Sequence, residues 1–216
     1  MPIWTVPLHL TADRLPWPGR WPRQATAEAL AAAQELLAPR ALYELVAAEP
    51  TPAGPRLPDG TVLHSPALAT AMGPARRLLL AVCTIGPGLE ARCRELNEQG
   101  DLGRALLLDA LGVVAIQELG SHIERRATHE LAPQGLLLGC AFFPGQDDWP
   151  LDDQRTLFAL LHPARIGVHL NETLVMVPLK SASTAWPVGT EEELPAGGPA
   201  CARCARHDDC PYHRAP

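Results

Sequence analysis

A cysteine or histidine stands at every third position of the stretch Cys201-Ala-Arg-Cys204-Ala-Arg-His207-Asp-Asp-Cys210-Pro-Tyr-His213. The Cys201-x-x-Cys204 spacing lets two thiolates grip one ion from a tight turn. Zinc takes four tetrahedral ligands, and Cys201, Cys204 and Cys210 with His207 or His213 supply them locally. An iron–sulfur cluster takes thiolates instead, and the closely spaced cysteines ending in Cys210-Pro211 suit that ligation. That option needs a fourth ligand from Cys83, Cys93, Cys140, a histidine or an exogenous group. The density of ligands argues against a reduced tail that binds nothing. The spacing leaves the choice of metal open.

The remaining composition narrows the function classes. With 216 residues, 47% hydrophobic and 19% charged, the chain can bury a core as one large domain or two small ones. A formal charge of -6 offers no basic face, which argues against nucleic acid as a partner. Lys180 is the sole lysine; every other basic residue except the histidines is arginine. The N-terminal stretch lacks a basic leader, and Pro7 and Asp13 interrupt its apolar run. The longest apolar runs, Leu78–Val82 and Val113–Ile116, are too short to span a bilayer. The expectation is a cytoplasmic protein with no membrane partner, whose cysteines are free or metal-bound rather than disulfide-bonded.

The elements that must position any site follow from periodicity. Residues 1–25 predict a short strand, then a loop at Pro16-Trp17-Pro18-Gly19. Ala27–Leu37 predicts a helix capped by Thr26 and stopped by Pro39. Pro50–Pro58, with four prolines, predicts a loop or linker, and Ser65-Pro66 the capped start of a short helix. Arg77–Ile85 predicts a buried strand, and Leu89–Gln99 a helix closed by Gly100. Asp101–Leu131 predicts a long, central helix. Gly103, Gly112 and Gly120 each cost it about 1 kcal/mol relative to Ala, which suggests close packing there. Asp147–Pro150 predicts the cap and first turn of a helix over Leu151–Leu161. Ile166–Leu170 and Thr173–Leu179 predict a hairpin around Asn171-Glu172. After Ser183 the pattern turns loose, as a tether to the tail. The fold class is α+β, with helices packed on a small bent antiparallel sheet.

Three stretches, taken in order, resemble the activation domain of cobalamin-dependent methionine synthase. They are Thr84-Ile85-Gly86-Pro87-Gly88-Leu89-Glu90; Leu108-Asp109-Ala110-Leu111-Gly112; and Pro144-Gly145-Gln146-Asp147-Asp148-Trp149-Pro150-Leu151 joined to Ile166–Thr173 and Met176–Ser183. The resemblance is closer still to free-standing members that end in a short cysteine cluster followed by Pro-Tyr. It implies an activation-domain-like core over 77–190, an N-terminal α/β segment over 1–76 packing on it, and a linker with the Cys/His tail over 191–216.

The resemblance also implies an activity. Such a domain docks on the cobalamin-binding module of a methyltransferase whose cobalt has become cob(II). A low-potential donor supplies one electron, and S-adenosylmethionine supplies the methyl group. The cobalamin is carried by the partner, and an iron–sulfur tail would suit electron delivery, since such clusters reach below about −400 mV. Candidate ligand-binding residues are Pro144, Gly145, Gln146, Glu172, Lys180 and Ser181; no catalytic residue is assigned. Two positions depart from the family: Ala141 stands where an Arg pairs with the ligand carboxylate, and Gln146 where a Tyr reaches toward the corrin. An Arg–carboxylate contact is worth about 1.5–3 kcal/mol, which alanine cannot supply. A non-catalytic binding module with a zinc-pinned tail is the alternative. Asp109 interrupts an apolar helix face, either as a partner to a buried Arg or as part of a cleft. Trp149 reads as a core anchor, Glu172 first as a turn residue, and His122 and His129 as solvated.

Overall fold

Residue Leu80 shows how the molecule is layered. It lies in a strand whose even-numbered side chains (Leu78, Leu80, Val82) enter one core and whose odd-numbered ones (Leu79, Ala81, Cys83) enter another. A strand alternates its side chains between two faces, so an unbroken apolar run requires cover on both. The computed structural model describes residues 3–15 and 21–194. The loop expected at Pro16–Gly19 and the cysteine–histidine tail lie outside them.

The strands and helices follow in chain order. First come β1 (Trp4–Thr5), α1 (Arg23–Leu36), β2 (Arg40–Ala47), β3 (Glu49–Thr51), β4 (Gly54–Arg56) and α2 (Pro66–Met72). Next are β5 (Arg77–Thr84), α3 (Gly88–Glu98), α4 (Leu102–Leu131) and β6 (Leu137–Leu138). The last are α5 (Gln154–Leu161), β7 (His169–Leu170), β8 (Met176–Val177) and β9 (Ser181–Gly189). Five strands form one antiparallel sheet in the order β1-β2-β5-β9-β6. Helices α1, α3 and α4 bury one face. The segment carrying α2, Trp149 and α5 buries the other. The expected α+β class is what the structure shows.

Several local expectations hold. The Ser65 side chain accepts the Leu68 N–H at the start of α2, with Pro66 in the first turn. Asp101 caps the 30-residue α4 by accepting from Arg104 N–H. Gly100 adopts φ +78° after α3.

Others are corrected. Helix α1 starts at Arg23, and Thr26 lies inside it with its hydroxyl donating to Pro22 O. The proline-rich stretch forms the β3–β4 hairpin, in which Pro50 sits opposite Pro55. Asp148 caps α2 from a distance, accepting from Ser65 Oγ at 2.7 Å and Ala67 N–H at 2.7 Å. A 3-10 turn over Leu151–Asp153 leads into α5. Only His169–Leu170 and Met176–Val177 pair in the predicted hairpin. Of the three glycines in α4, Gly112 alone is closely packed; Gly103 and Gly120 have open space where a side chain would begin.

The largest correction concerns residues after Ser183. Those up to Gly189 belong to β9, whose Ser181–Val188 pair with the full length of β5. Ala185, Trp186 and Val188 are buried. Ser181, Ser183, Thr184 and Pro187 gave the stretch a polar, broken look. Pro187 is tolerated because the strand's pairing with β5 does not use its missing N–H. Its carbonyl faces the other edge and accepts from Gly139 N–H at 2.8 Å.

Candidate functional site

A cleft of about 300 Å³ opens beside the first half of β9. Its cause is an interrupted ladder. The chain after β6 runs along β9 as far as Phe142, whose N–H donates to Ala185 O (2.8 Å) while Ala185 N–H donates back (2.9 Å). It then turns away. Toward β5, the bonds of β9 are made by alternate residues: Lys180 O accepts Ile85 N–H at 3.1 Å. The two-residue period therefore puts the backbone N–H and C=O of Ser181 and Ser183 on the same edge as those of Ala185, facing the cleft.

One wall of the cleft is the turn that carries the chain away. Gln146 N–H donates to Phe143 O (3.1 Å), Trp149 N–H to Gln146 O (3.0 Å) and Gly145 N–H to Trp149 O (2.8 Å). Gly145 has φ +86°, and a Cβ there would lie 3.1 Å from Leu151 Cδ1. Trp149 is 2% exposed and donates its indole N–H to Asp153 Oδ2 at 2.8 Å. Asp153 also accepts from the backbone N–H of His64 and lies 3.0 Å from its Nδ1. The turn is thereby bolted to the segment preceding α2.

The hairpin β7–β8 forms a second wall. The Asn171 carboxamide oxygen accepts Thr173 N–H (3.0 Å) and Val175 N–H (2.9 Å). Gln154, at the start of α5, donates to Leu174 O (3.0 Å) and accepts from Ser183 Oγ (3.2 Å). It thus ties the hairpin to β9.

The third wall is Pro178–Ser181. Leu179 N–H donates to Glu90 Oε2 at 2.8 Å. Ser181 Oγ donates to Pro178 O at 2.6 Å and lies 2.9 Å from Thr84 Oγ1. Lys180 turns its ammonium to Asp109 Oδ1 of α4 at 2.7 Å, with its side chain 12% exposed. Its Cε lies 3.1 Å from where a Cβ on Gly112 would be. Asp109, expected to meet an Arg or a cleft, meets the sole lysine.

Pro144, Gln146 and Ser181 come together as lining of this cleft. Gly145 shapes the turn, and Lys180 faces α4. Glu172 is exposed in the turn of the hairpin, which lines the cleft through Leu174, Val175 and Met176 instead. Ala141 packs against the helix-side core. Sequence reasoning missed Gln154 and Ser183. Their signal was a buried polar residue in an apolar context: Gln154 precedes Leu157 and Leu161 on the inward stripe of α5.

No family model and no curated protein sequence matches the chain. A solved structure of the MetH reactivation domain bound to AdoHcy does, with a TM-score of 0.61 at 16% identity. The match covers 81% of this chain and 65% of that one. The chain has the fold of the MetH reactivation domain. In this reactivation-domain fold the long helix is α4 and the bent sheet carries β9 near one edge. The chain spans less than two thirds of the length of the domain it matches.

The cysteines expected as metal ligands divide in two. Cys201, Cys204 and Cys210, with His207 and His213, lie outside the described residues. Cys83 is buried, and burial pushes its thiol up to about 12. Burial, reinforced by the charge of Asp109, pushes Cys93 up to about 11; its thiol donates to Ala105 O at 3.6 Å. Neither is poised to be a thiolate ligand, whereas Cys140 is partly exposed. Among the described residues no group of three His, Cys, Asp or Glu could hold a metal ion. No described helix is long and apolar enough to cross a membrane.

Proposed function

We propose that this protein is an accessory factor that reactivates a corrinoid methyltransferase such as methionine synthase. It docks on the cobalamin module and holds a nucleoside-type methyl donor or its product in the cleft beside β9. One observation carries this reading. Pro144, Gln146 and Ser181, which the family resemblance assigns to ligand binding, line a single cleft although the first and last are separated by a helix and a hairpin. The neighbour of the same fold was solved with AdoHcy bound.

The tail from residue 191 onward is proposed as the metal-holding segment. Cys201, Cys204 and Cys210 would supply thiolates, with His207 or His213 completing a zinc site, or Cys140 or an exogenous ligand completing an iron–sulfur centre. Such a centre would supply electron transfer from a low-potential donor. The chain's own part is to bind and orient: the turn over 143–149 and the hairpin fix the ligand's position against the partner.

The test is reduction of cob(II)alamin on a cobalamin-dependent methyltransferase, followed by its absorption spectrum, with S-adenosylmethionine and a reductant present. Loss of the cob(II) spectrum that depends on this protein supports the reading. An unchanged rate over the protein-free control refutes it.

A second reading, a binding module with a zinc-pinned tail, is favoured by a different observation: among the described residues, no side chain lining the cleft carries a charge. Zinc without acid-labile sulfide in protein purified without oxygen, together with binding to the cobalamin module but no reduction, would select it.

A further inference from the structure

We propose that the cleft beside β9 recognises the neutral heterocycle and apolar stem of a nucleoside ligand through the open strand edge, and offers no charged partner to the ligand's amino-acid end. This rests on the reading of the cleft as a nucleoside site given above.

The first argument is what the lining lacks. Phe143, Leu151, Leu174, Val175, Met176 and Leu179 give it an apolar body, and its remaining side chains are neutral. The nearest ammonium in the sequence, that of Lys180, is committed to Asp109 on α4. A ligand carboxylate entering the cleft would give up water without meeting a cation, which is unfavourable. It gains nothing from the site.

The second argument is what the lining offers. Three polar side chains of the lining already spend a proton inside the protein: Ser181 Oγ donates to Pro178 O, Ser183 Oγ to Gln154 Oε1, and Gln154 to Leu174 O. What remains is the Gln146 carboxamide at the exposed side of the cleft and, deeper in, the backbone. The ladder along this edge ends at Ala185, so the N–H and C=O of Ser183 form a donor and acceptor side by side, two residues beyond the last paired one. A heterocycle that carries a ring acceptor next to an amino donor fits such an edge. The apolar side chains around it suit a thioether. The cleft volume sits at the lower limit for small-molecule sites, about 300 Å³, so a compact ligand is favoured over an extended peptide.

The experiment is calorimetric titration of the full chain with methylthioadenosine and, separately, with AdoHcy, which adds the amino-acid carboxylate. Methylthioadenosine is expected to bind as tightly as AdoHcy, within about threefold. Raising the ionic strength should leave both affinities within about twofold. AdoHcy binding tighter by more than about tenfold, with strong salt dependence, would overturn this inference while leaving the nucleoside reading of the cleft intact. Binding of neither compound would overturn both, and the cob(II)alamin assay would then decide the docking role alone. Val175→Trp, at a partly exposed lining position, should cost more than about tenfold in methylthioadenosine affinity while the melting temperature stays near the parent's. Unchanged affinity in that variant would place the ligand elsewhere and overturn the proposal.

Discussion

Lys180 and Asp109 form an ion pair of 2.7 Å between the start of β9 and the middle of α4, with the lysine stem laid over Gly112. The two ends are unequally wet: the Lys180 side chain is 12% exposed and that of Asp109 49%. Removing the acid leaves a shielded ammonium without a partner, whereas removing the base leaves a carboxylate that water can reach. Asp109→Ala should therefore destabilise by about 1–2 kcal/mol, a figure discounted for the exposed carboxylate. Lys180→Met should cost less than about 1 kcal/mol, because the stem's packing is kept. Urea unfolding of the two variants and their double mutant measures this. Equal losses in both single variants would contradict the asymmetry.

Gly145 holds the cleft's turn at φ +86°, a conformation that costs an L side chain energy. Gly145→Ala adds a Cβ at 3.1 Å from Leu151 Cδ1 as well. The expected loss is about 1–2 kcal/mol in unfolding free energy, accompanied by weaker ligand binding as the wall shifts. A variant as stable as the parent would show that the turn is not held as described.

His122 on α4 has its imidazole pKa lowered from 6.5, by burial first and by the charge of Arg125 second. The unfolded chain therefore binds the proton more readily than the folded one. Stability from this group is present above 6.5 and declines as pH falls through that value toward the lowered folded pKa. His122→Gln should flatten the pH dependence of unfolding just below that point. An identical slope in parent and variant would remove His122 as its source.

The cysteines should react in a fixed order. Cys83 and Cys93, with thiols pushed up to about 12 and about 11, should resist alkylation at neutral pH in the native protein. Cysteines of the tail should be protected while a metal is bound and become labelled first after chelation. Mass spectrometry of peptides before and after chelator treatment reads both statements. Labelling of the tail that ignores the chelator would argue against a metal centre there.

Much of this architecture was legible in the residues, for stated reasons. Leu78–Val82 read as a buried strand because both faces of β5 are covered, and Ser65-Pro66 read as a cap because the cue is local. Strand β9 was missed because Ser181, Ser183 and Pro187 look unlike a central strand. Its position comes from pairing with β5, about a hundred residues earlier in the chain, and no local propensity encodes that. The cleft was half legible. Pro144, Gln146 and Ser181 came from motif resemblance, but Gln154 and Leu174 enter only through the tertiary contacts that tie a helix and a hairpin to one strand edge. Lys180 was singled out, yet its partner on α4 decides which way it faces.

The late arrival of β9 also shapes how the chain is made. Strand β5 waits for its second neighbour until Ser181–Gly189 has left the ribosome, and until then a strand that is apolar from Leu78 to Cys83 has one edge bare. Pairing at such separation closes slowly, and a bare apolar strand invites other chains. A translation product halted before Ser181 should accumulate on chaperones or in inclusion bodies, whereas one halted after Leu194 should fold.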